Sequence, residues 1–396
     1  MSRCGEMLKR CARKGAILLL VCAPVPAIFA APPAAATNLS IDQLDQLLKE
    51  MYGQDDVKVA RRIAGIQLTE LAGAARLAQW EADLPGDRSR KALMAVSDAS
   101  AFLDPPTAET PSPPPPDAET GKQILSRAWD YVEQTLPRFP NFFANRTTTS
   151  FAFTTKSNLH PPDLMGNPYE TPRSRRFRYE VLGPAQASDS QEPQLYWLGS
   201  STREVTYRGG LEVANSPAPA PAAGRAPMQL DTNGEFGAFL GLVVLDIPQE
   251  EMVWEHWERG ANGLLAVFRY AAPSEKSHFA LTLPDQPPEL PAYHGEIAID
   301  PASGVIWRMT LLATTSGIGF FRESSMLVEF ASIEIAGVAY VCPVHAVAMD
   351  RYFNTFEYGN TAHTPVPFAS NLNDVSFTNY HRFRSESHIV FGATGP

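Results

Sequence analysis

The sequence predicts an α+β protein: a small N-terminal helical bundle, a proline-rich linker, and a larger domain made of a curved antiparallel β-sheet and a few helices. Three observations carry this expectation. Apolar residues recur at helical spacing from Ser40 to Leu103, seven prolines crowd into residues 104–118, and beyond Asn141 the apolar period shortens to that of strands. The boundaries that follow are 1–36 for a removable signal peptide, 37–103 for the helical region, 104–118 for the linker and 119–396 for helix plus sheet.

The signal is read from its parts. Arg3, Lys9, Arg10, Arg13 and Lys14 make a basic start, residues 16–25 an apolar run, and residues 30–36 a small-residue tract that supplies cleavage sites. A spanning helix needs about twenty predominantly apolar residues; this run is shorter and broken by Pro24 and Pro26. Cys22 follows Leu19-Leu20-Val21, which resembles a lipidation signal, but Val21 is the wrong size for the position before a lipidated cysteine. Cleavage, and a periplasmic or extracellular location, are therefore expected. Removing the signal takes the net charge from −10 to −14 and leaves Cys342 alone, so no intrachain disulfide is expected. The acidity argues against nucleic acid and anionic membranes as partners. No transmembrane helix is expected in the mature chain, because nothing after Val25 is long and apolar enough to be one.

The elements follow in order. Ser40, with Gln43 three residues on, forms a capping box for a first helix that puts Leu44, Leu47, Leu48 and Met51 on one face and closes at Gly53. A second helix begins at Asp55 or Asp56 and carries Val59, Ala60 and Ile63. A third, capped by Thr69, runs to Leu84 through Leu71, Leu77 and Trp80, and Pro85-Gly86 ends it. A fourth, 87–103, turns Leu93, Val96, Ala99 and Phe102 inward. Helices this short bury little surface among themselves and need a neighbour. The linker reads as a semi-rigid polyproline spacer; the sharper reading of the same residues is a docking site for a proline-binding module. The helix 121–136 presents Ile124, Leu125, Ala128, Trp129 and Val132 to the sheet. Strands are expected at 147–154, 176–182, 194–198, 203–207, 211–213, 252–259, 263–271, 279–283, 293–300, 306–313, 324–335, 338–350, 373–384 and 388–391, with a helix at 236–246 and a surface loop at 216–227. Asp300-Pro301-Ala302-Ser303-Gly304 and Ala336-Gly337 are hairpin turns.

Leu68-Thr69-Glu70-Leu71, Trp80-Glu81, Leu84-Pro85-Gly86 and Ser97-Asp98-Ala99-Ser100-Ala101-Phe102-Leu103 resemble the N-terminal part of an uncharacterised family of exported bacterial proteins. The resemblance continues in Asn141-Phe142-Phe143-Ala144, Trp254-Glu255-His256-Trp257 and the segment from Phe377 to Ser387, and so covers most of the mature chain. That family has no assigned activity, so the resemblance implies export and no chemistry. Tyr293 to Asp300, a turn, Val305 to Leu312, Val328-Glu329-Phe330 and Gly337-x-x-Tyr340-x-x-Pro343 are similar in layout to periplasmic lipoprotein-carrier proteins. Those proteins hold acyl chains in an open curved sheet with helices in its mouth. A shared layout implies a shape and assigns no function by itself.

No motif assigns catalysis, and no catalytic residue, metal or cofactor is expected. The histidines lack the pairing or Cys/His clustering of a zinc site. His294 and Glu296 alternate on one strand face, where a solvated surface explains them equally well, and His381 and His388 lie seven apart around a turn. A Gly-x-Ser-x-Gly elbow is missing, and Cys342 sits in an apolar run where a buried thiol is the default. Glu250, Glu251, Glu255 and Glu258 are close in sequence and read as a charged face. The candidate ligand-binding residues are Trp254, His256, Trp257, Phe236 and Phe239. Strand period puts Trp254, His256 and Glu258 on one face and Glu255 and Trp257 on the other, leaving one tryptophan for the core and one for an interface or a ligand wall. Arg173, Arg175, Arg176 and Arg178 form the one basic run, read as a solvated sheet edge, with a surface for an acidic partner as the alternative.

Two functions fit. The first is an exported, non-enzymatic binding protein whose sheet holds an apolar small molecule or a partner protein segment, marked by an apolar cavity beneath residues 236–245. The second is a structural or interaction protein of the cell envelope with no small-molecule ligand, marked by a filled, cavity-free sheet core together with an exposed apolar groove on the helices.

Overall fold

Local chemistry starts the first helices where the sequence places them. The computed structural model describes residues 37–135, 137, 141–154, 194–208, 211–214, 230–232, 235, 237–261, 263–282, 287–314, 323–352 and 369–382. Before α1 (Ile41–Glu50), the Ser40 hydroxyl accepts from the Gln43 N–H at 3.3 Å and the Gln43 side chain accepts from the Ser40 N–H at 2.9 Å. Asp55 caps α2 (Asp56–Ala64) through Val57 N–H at 3.0 Å. Asp56 reaches across to cap α4 (Asp87–Ala99), accepting from the N–H groups of Arg88 and Ser89 and from the Ser89 hydroxyl at 2.7 Å.

The third helix departs from expectation. It begins only at Ala74 (α3, Ala74–Asp83), and Thr69 does not cap it. Ile66–Leu68 forms a strand, β2, paired in parallel with β1 (Thr37–Leu39), so the apolar side chains at 66 and 68 serve a strand face. Thr69 donates instead to the Leu39 carbonyl, and Glu70 accepts the Ile41 N–H at 3.1 Å. The helix after the linker, α5 (Ala118–Thr135), buries the five side chains expected of it.

Ten strands form one curved antiparallel sheet. They are β3 (Phe142–Thr154), β4 (Gln194–Arg208), β5 (Leu211–Ala214), β6 (Val253–Gly260), β7 (Gly263–Ala272), β8 (Tyr293–Ile299), β9 (Ile306–Thr314), β10 (Glu323–Ile335), β11 (Val338–Tyr352) and β12 (Ala369–Arg382). The order is β5-β4-β3-β12-β11-β10-β9-β8-β7-β6, a meander from β6 to β12 whose last strand pairs with β3. The two strands expected at 194–198 and 203–207 are one, bent at a bulge beside Gly199, whose φ of 144° suits only glycine. Residues 279–283 do not form a strand among the described residues; Leu281 makes an isolated bridge to Glu289. The segments 176–182, 216–227 and 388–391 and residue Phe236 lie outside the described residues.

Side chains fill both faces. On one, α5 and α6 (Ala238–Asp246) pack Ile124, Ala128, Val132, Phe239 and Leu240 against Phe142, Phe268, Ile297 and Val328. On the other, Phe151, Leu195, Leu327, Val347, Met349 and Leu372 share a core with Ile41, Leu44, Ile63, Leu93 and Val96. The sheet is thus the neighbour that the short helices need, each buried Leu or Ile contributing about 1.5–3 kcal/mol.

The turn at residues 300–304 locks α5 in place. The Asp300 carboxylate accepts from the N–H groups of Ala302 and Ser303, and Arg127 donates to the Pro301 carbonyl at 2.8 Å. Gly304 has φ 76°, and a Cβ there would meet the Arg127 carbonyl at 2.4 Å. Gly304→Ala combines left-handed strain with a backbone clash and is expected to cost at least about 2 kcal/mol. A midpoint in urea unchanged from that of the parent protein would refute this account of the turn.

Candidate functional site

The most concentrated group of titratable side chains comes from strand pairing. Ala336 and Gly337 both take positive φ in the two-residue turn between β10 and β11, which pairs Ile335 with Val338. Farther out a bulge absorbs Val344, next to Pro343, so His345 stands opposite Glu329. On the far side of β10, Glu329 stands opposite Arg308 of β9. On the far side of β11, His345 is paired with Ser376, and Asp374 of β12 is its diagonal neighbour.

The side chains then connect. His345 Nδ1 is 2.9 Å from Glu329 Oε2, and its Nε2 is 2.8 Å from Asp374 Oδ2. Arg308 contacts Glu258 at 2.5 Å and Glu296 at 3.6 Å. The result is a row of alternating charge across the sheet: Glu258, Arg308, Glu329, His345, Asp374. Asp98 approaches from α4, buried, with Oδ2 lacking any hydrogen-bond partner among the described residues.

Electrostatics follow from this placement. Burial raises Asp98 well above the usual carboxylate range, and the Asp374 charge adds to the effect. Burial pulls the His345 imidazole down, but hydrogen bonds to Asp374 and Glu329 and the Asp98 charge outweigh it and carry the group up to about 11. Glu329 is raised by burial and lowered more by His345 and Arg308, so it ends below its usual value. One donor atom each from Asp98, His345 and Asp374 lies within 4.8 Å of the others, a grouping that could hold a metal ion. Sequence spacing could not show it, since Asp374 is 29 residues from His345 and Asp98 lies on a helix far upstream of both.

The aromatic segment of β6 is arranged differently from its strand period. A bulge at Glu255 pairs Trp254 with Phe268, His256 with Val267 and Trp257 with Ala266. Both tryptophans therefore pack toward the core under α5 and α6, edge to face with centroids 4.9 Å apart. Trp257 donates its indole N–H to the Pro114 carbonyl at 2.9 Å, so Pro114 lies against this pair. His256 is set apart from them, with Nε2 buried and without a partner among the described residues. Phe239 is a core residue at 4% exposure.

The remaining expected groups do not converge. Glu251, Glu255 and Glu258 are each held by a different cation: Lys276, Arg269 and Arg308. Glu296 faces Arg308, while His294 is exposed. His381 stacks on Phe143 with its Nδ1 2.8 Å from the Asn379 carbonyl, and His388 lies outside the described residues. Cys342 is a free, buried thiol that burial pushes up to about 12. A second polar group was invisible to spacing. Buried Asp246, at the end of α6, accepts from the Tyr293 hydroxyl at 2.6 Å and the His278 N–H at 2.8 Å, and contacts His278 Nδ1. An open cleft of about 590 Å³ lies between α5, the 300–304 turn and β11, lined by Arg127, Asp130, Tyr131, Ser303, Tyr340 and Val341 among others.

Among the described residues no helix is long and apolar enough to cross a membrane. No family model, curated protein or solved structure matches the chain.

Proposed function

We propose that the chain is an exported, non-enzymatic binding protein of the cell envelope that holds an extended polypeptide segment against the aromatic edge of its sheet. The observation that carries this reading is the hydrogen bond from Trp257 to Pro114, beside Trp254. A polyproline stretch offers carbonyls and no N–H groups, and aromatic grooves with an indole donor recognise such stretches. Residues 111–116 supply five prolines from the chain itself, so a partner segment of like chemistry competes for the same groove. In this reading the helical region is a small bundle, the linker is both spacer and internal occupant, and the N-terminal signal delivers the protein outside the cytoplasm. The filling of the sheet by Phe239 and Leu240 supports an extended segment over a bulk apolar ligand.

The test uses the mature protein with residues 111–116 replaced by Gly and Ser. A Pro-Ser-Pro-Pro-Pro-Pro peptide titrated in trans is expected to shift the tryptophan fluorescence saturably. Trp257→Phe in the same background removes one hydrogen bond and weakens binding about five- to tenfold. An unresponsive spectrum would sink the reading. A second reading, an apolar small molecule, is favoured by the cleft beside Tyr131 and Tyr340. Native mass spectrometry of protein from its own host's envelope separates the two: a lipid at near-unit occupancy supports the second, a bound peptide or protein the first.

A further inference from the structure

Beyond that reading, we propose that Asp98, His345 and Asp374 bind one divalent transition-metal ion of the zinc class, which ties α4 to β11 and β12. The donor atoms lie within 4.8 Å of one another. Independently, Asp98 is 4% exposed and its Oδ2 has no partner among the described residues, although a buried oxygen in that state is costly. Asp98 also stands one residue before the end of α4, where the helix carbonyls add partial negative charge. A cation answers both. The His345 charge acts on Asp98 through space and gives its Oδ2 no hydrogen bond, because both imidazole nitrogens are engaged by Glu329 and Asp374.

Glu329 makes the site more than an acidic cluster. A carboxylate on the Nδ1 side fixes the imidazole tautomer and leaves Nε2 to face a metal, the usual arrangement behind a metal-bound histidine. The ion takes the place of the Nε2 proton, which leaves to solvent. A tetrahedral ion with bonds near 2.0–2.1 Å sets its ligands about 3.3 Å apart. Asp374, now 2.8 Å from Nε2, gives way slightly, and the widest separation closes by at most about 1.5 Å. One imidazole and two carboxylates, without thiolate, suit Zn²⁺ and its neighbours better than Ca²⁺ or Mg²⁺, and leave a fourth position for water. His345 is 30% exposed, which gives the ion a route in.

The experiment is calorimetric titration of Zn²⁺ into untagged, EDTA-stripped mature protein, with the Co²⁺ absorption spectrum as a second readout. One equivalent is expected to bind and to raise the melting temperature. Asp98→Asn, nearly isosteric, is expected to weaken binding more than tenfold, Glu329→Gln by about 10–100-fold, and His278→Ala not at all. Absence of stoichiometric binding, or affinity within twofold of the parent in Asp98→Asn, overturns the proposal. If that variant fails to fold, the unmodified protein decides: tetrahedral Co²⁺ bands without thiolate charge transfer support the site, and a water-like octahedral spectrum overturns it.

Discussion

Arg146→Ala should cost about 3–5 kcal/mol of folding free energy, the largest loss expected from any single truncation in the sheet. Arg146 is on β3 and its guanidinium lies 2.7 Å from Glu235, with side-chain exposures of 2% and 0%. Thr232 bridges the two, accepting from Arg146 at 2.6 Å and donating to Glu235 at 2.9 Å, and the Phe377 ring lies 6.0 Å from the guanidinium. The pair is not a large net stabiliser, because both charges left water to form it, and Arg146 Nε and Glu235 Oε2 have no partners among the described residues. Removing one member is different, since the other stays buried with its charge uncompensated. Chemical denaturation should show a lower midpoint at unchanged slope. Arg146→Met with Glu235→Leu should recover most of the loss. A loss under about 1 kcal/mol for Arg146→Ala would mean that water reaches the pair, and this reading of its burial would be wrong.

What the sequence revealed divides along the range of the interactions. The Ser40 cap, the inner face of α5 and the Asp300 to Gly304 turn are set within a few residues, and each could be read from spacing. β2 could not, because Ile66, Leu68 and Leu71 also fit a helical stripe and the deciding partner, Thr37–Leu39, lies far upstream. Bulges defeated the face assignments. Period 2 separates Trp254 from Trp257, but a residue inserted against the neighbouring strand restores them to one side, and nothing within β6 announces it.

The polar row shows the same limit with one clue left in view. Counting outward from the Ala336-Gly337 turn would place Glu329 opposite Val344, and the bulge moves His345 there instead. Pro343 was the available signal, since a proline inside a strand marks an edge or a bulge. Asp98 had no such signal. Its neighbours in sequence suggest only a helix, and its role depends on α4 packing over β12, which no local pattern encodes.

The second large effect is a dependence on pH that belongs to Asp350. This carboxylate on β11 is 2% exposed; burial pushes it up to about 6, against the pull of Asn371, whose N–H it accepts at 2.9 Å. In the unfolded chain the group titrates near the ordinary 3.8. Between those values the folded protein holds a proton that the unfolded chain has released, so stability from this site is complete below about pH 4 and lost as pH rises through about 6. The full change is about 3 kcal/mol. Asp45 and Asp56 titrate in the opposite sense, Asp45 lowered by hydrogen bonds from Lys49 and Trp80, and Asp56 raised by burial but lowered more by the hydrogen bonds from Ser89 and Arg88 together, so the profile of the parent protein mixes both directions. The difference between the parent and Asp350→Asn isolates the site, because Asn keeps an oxygen for the Asn371 N–H and cannot ionise. In urea unfolding at pH 4, 5, 6 and 7 the variant should gain on the parent by about 3 kcal/mol across the series, with most of the change between pH 4 and 6. A gap that stays constant with pH would show that Asp350 ionises as readily in the fold as in water, and that its burial is relieved in solution.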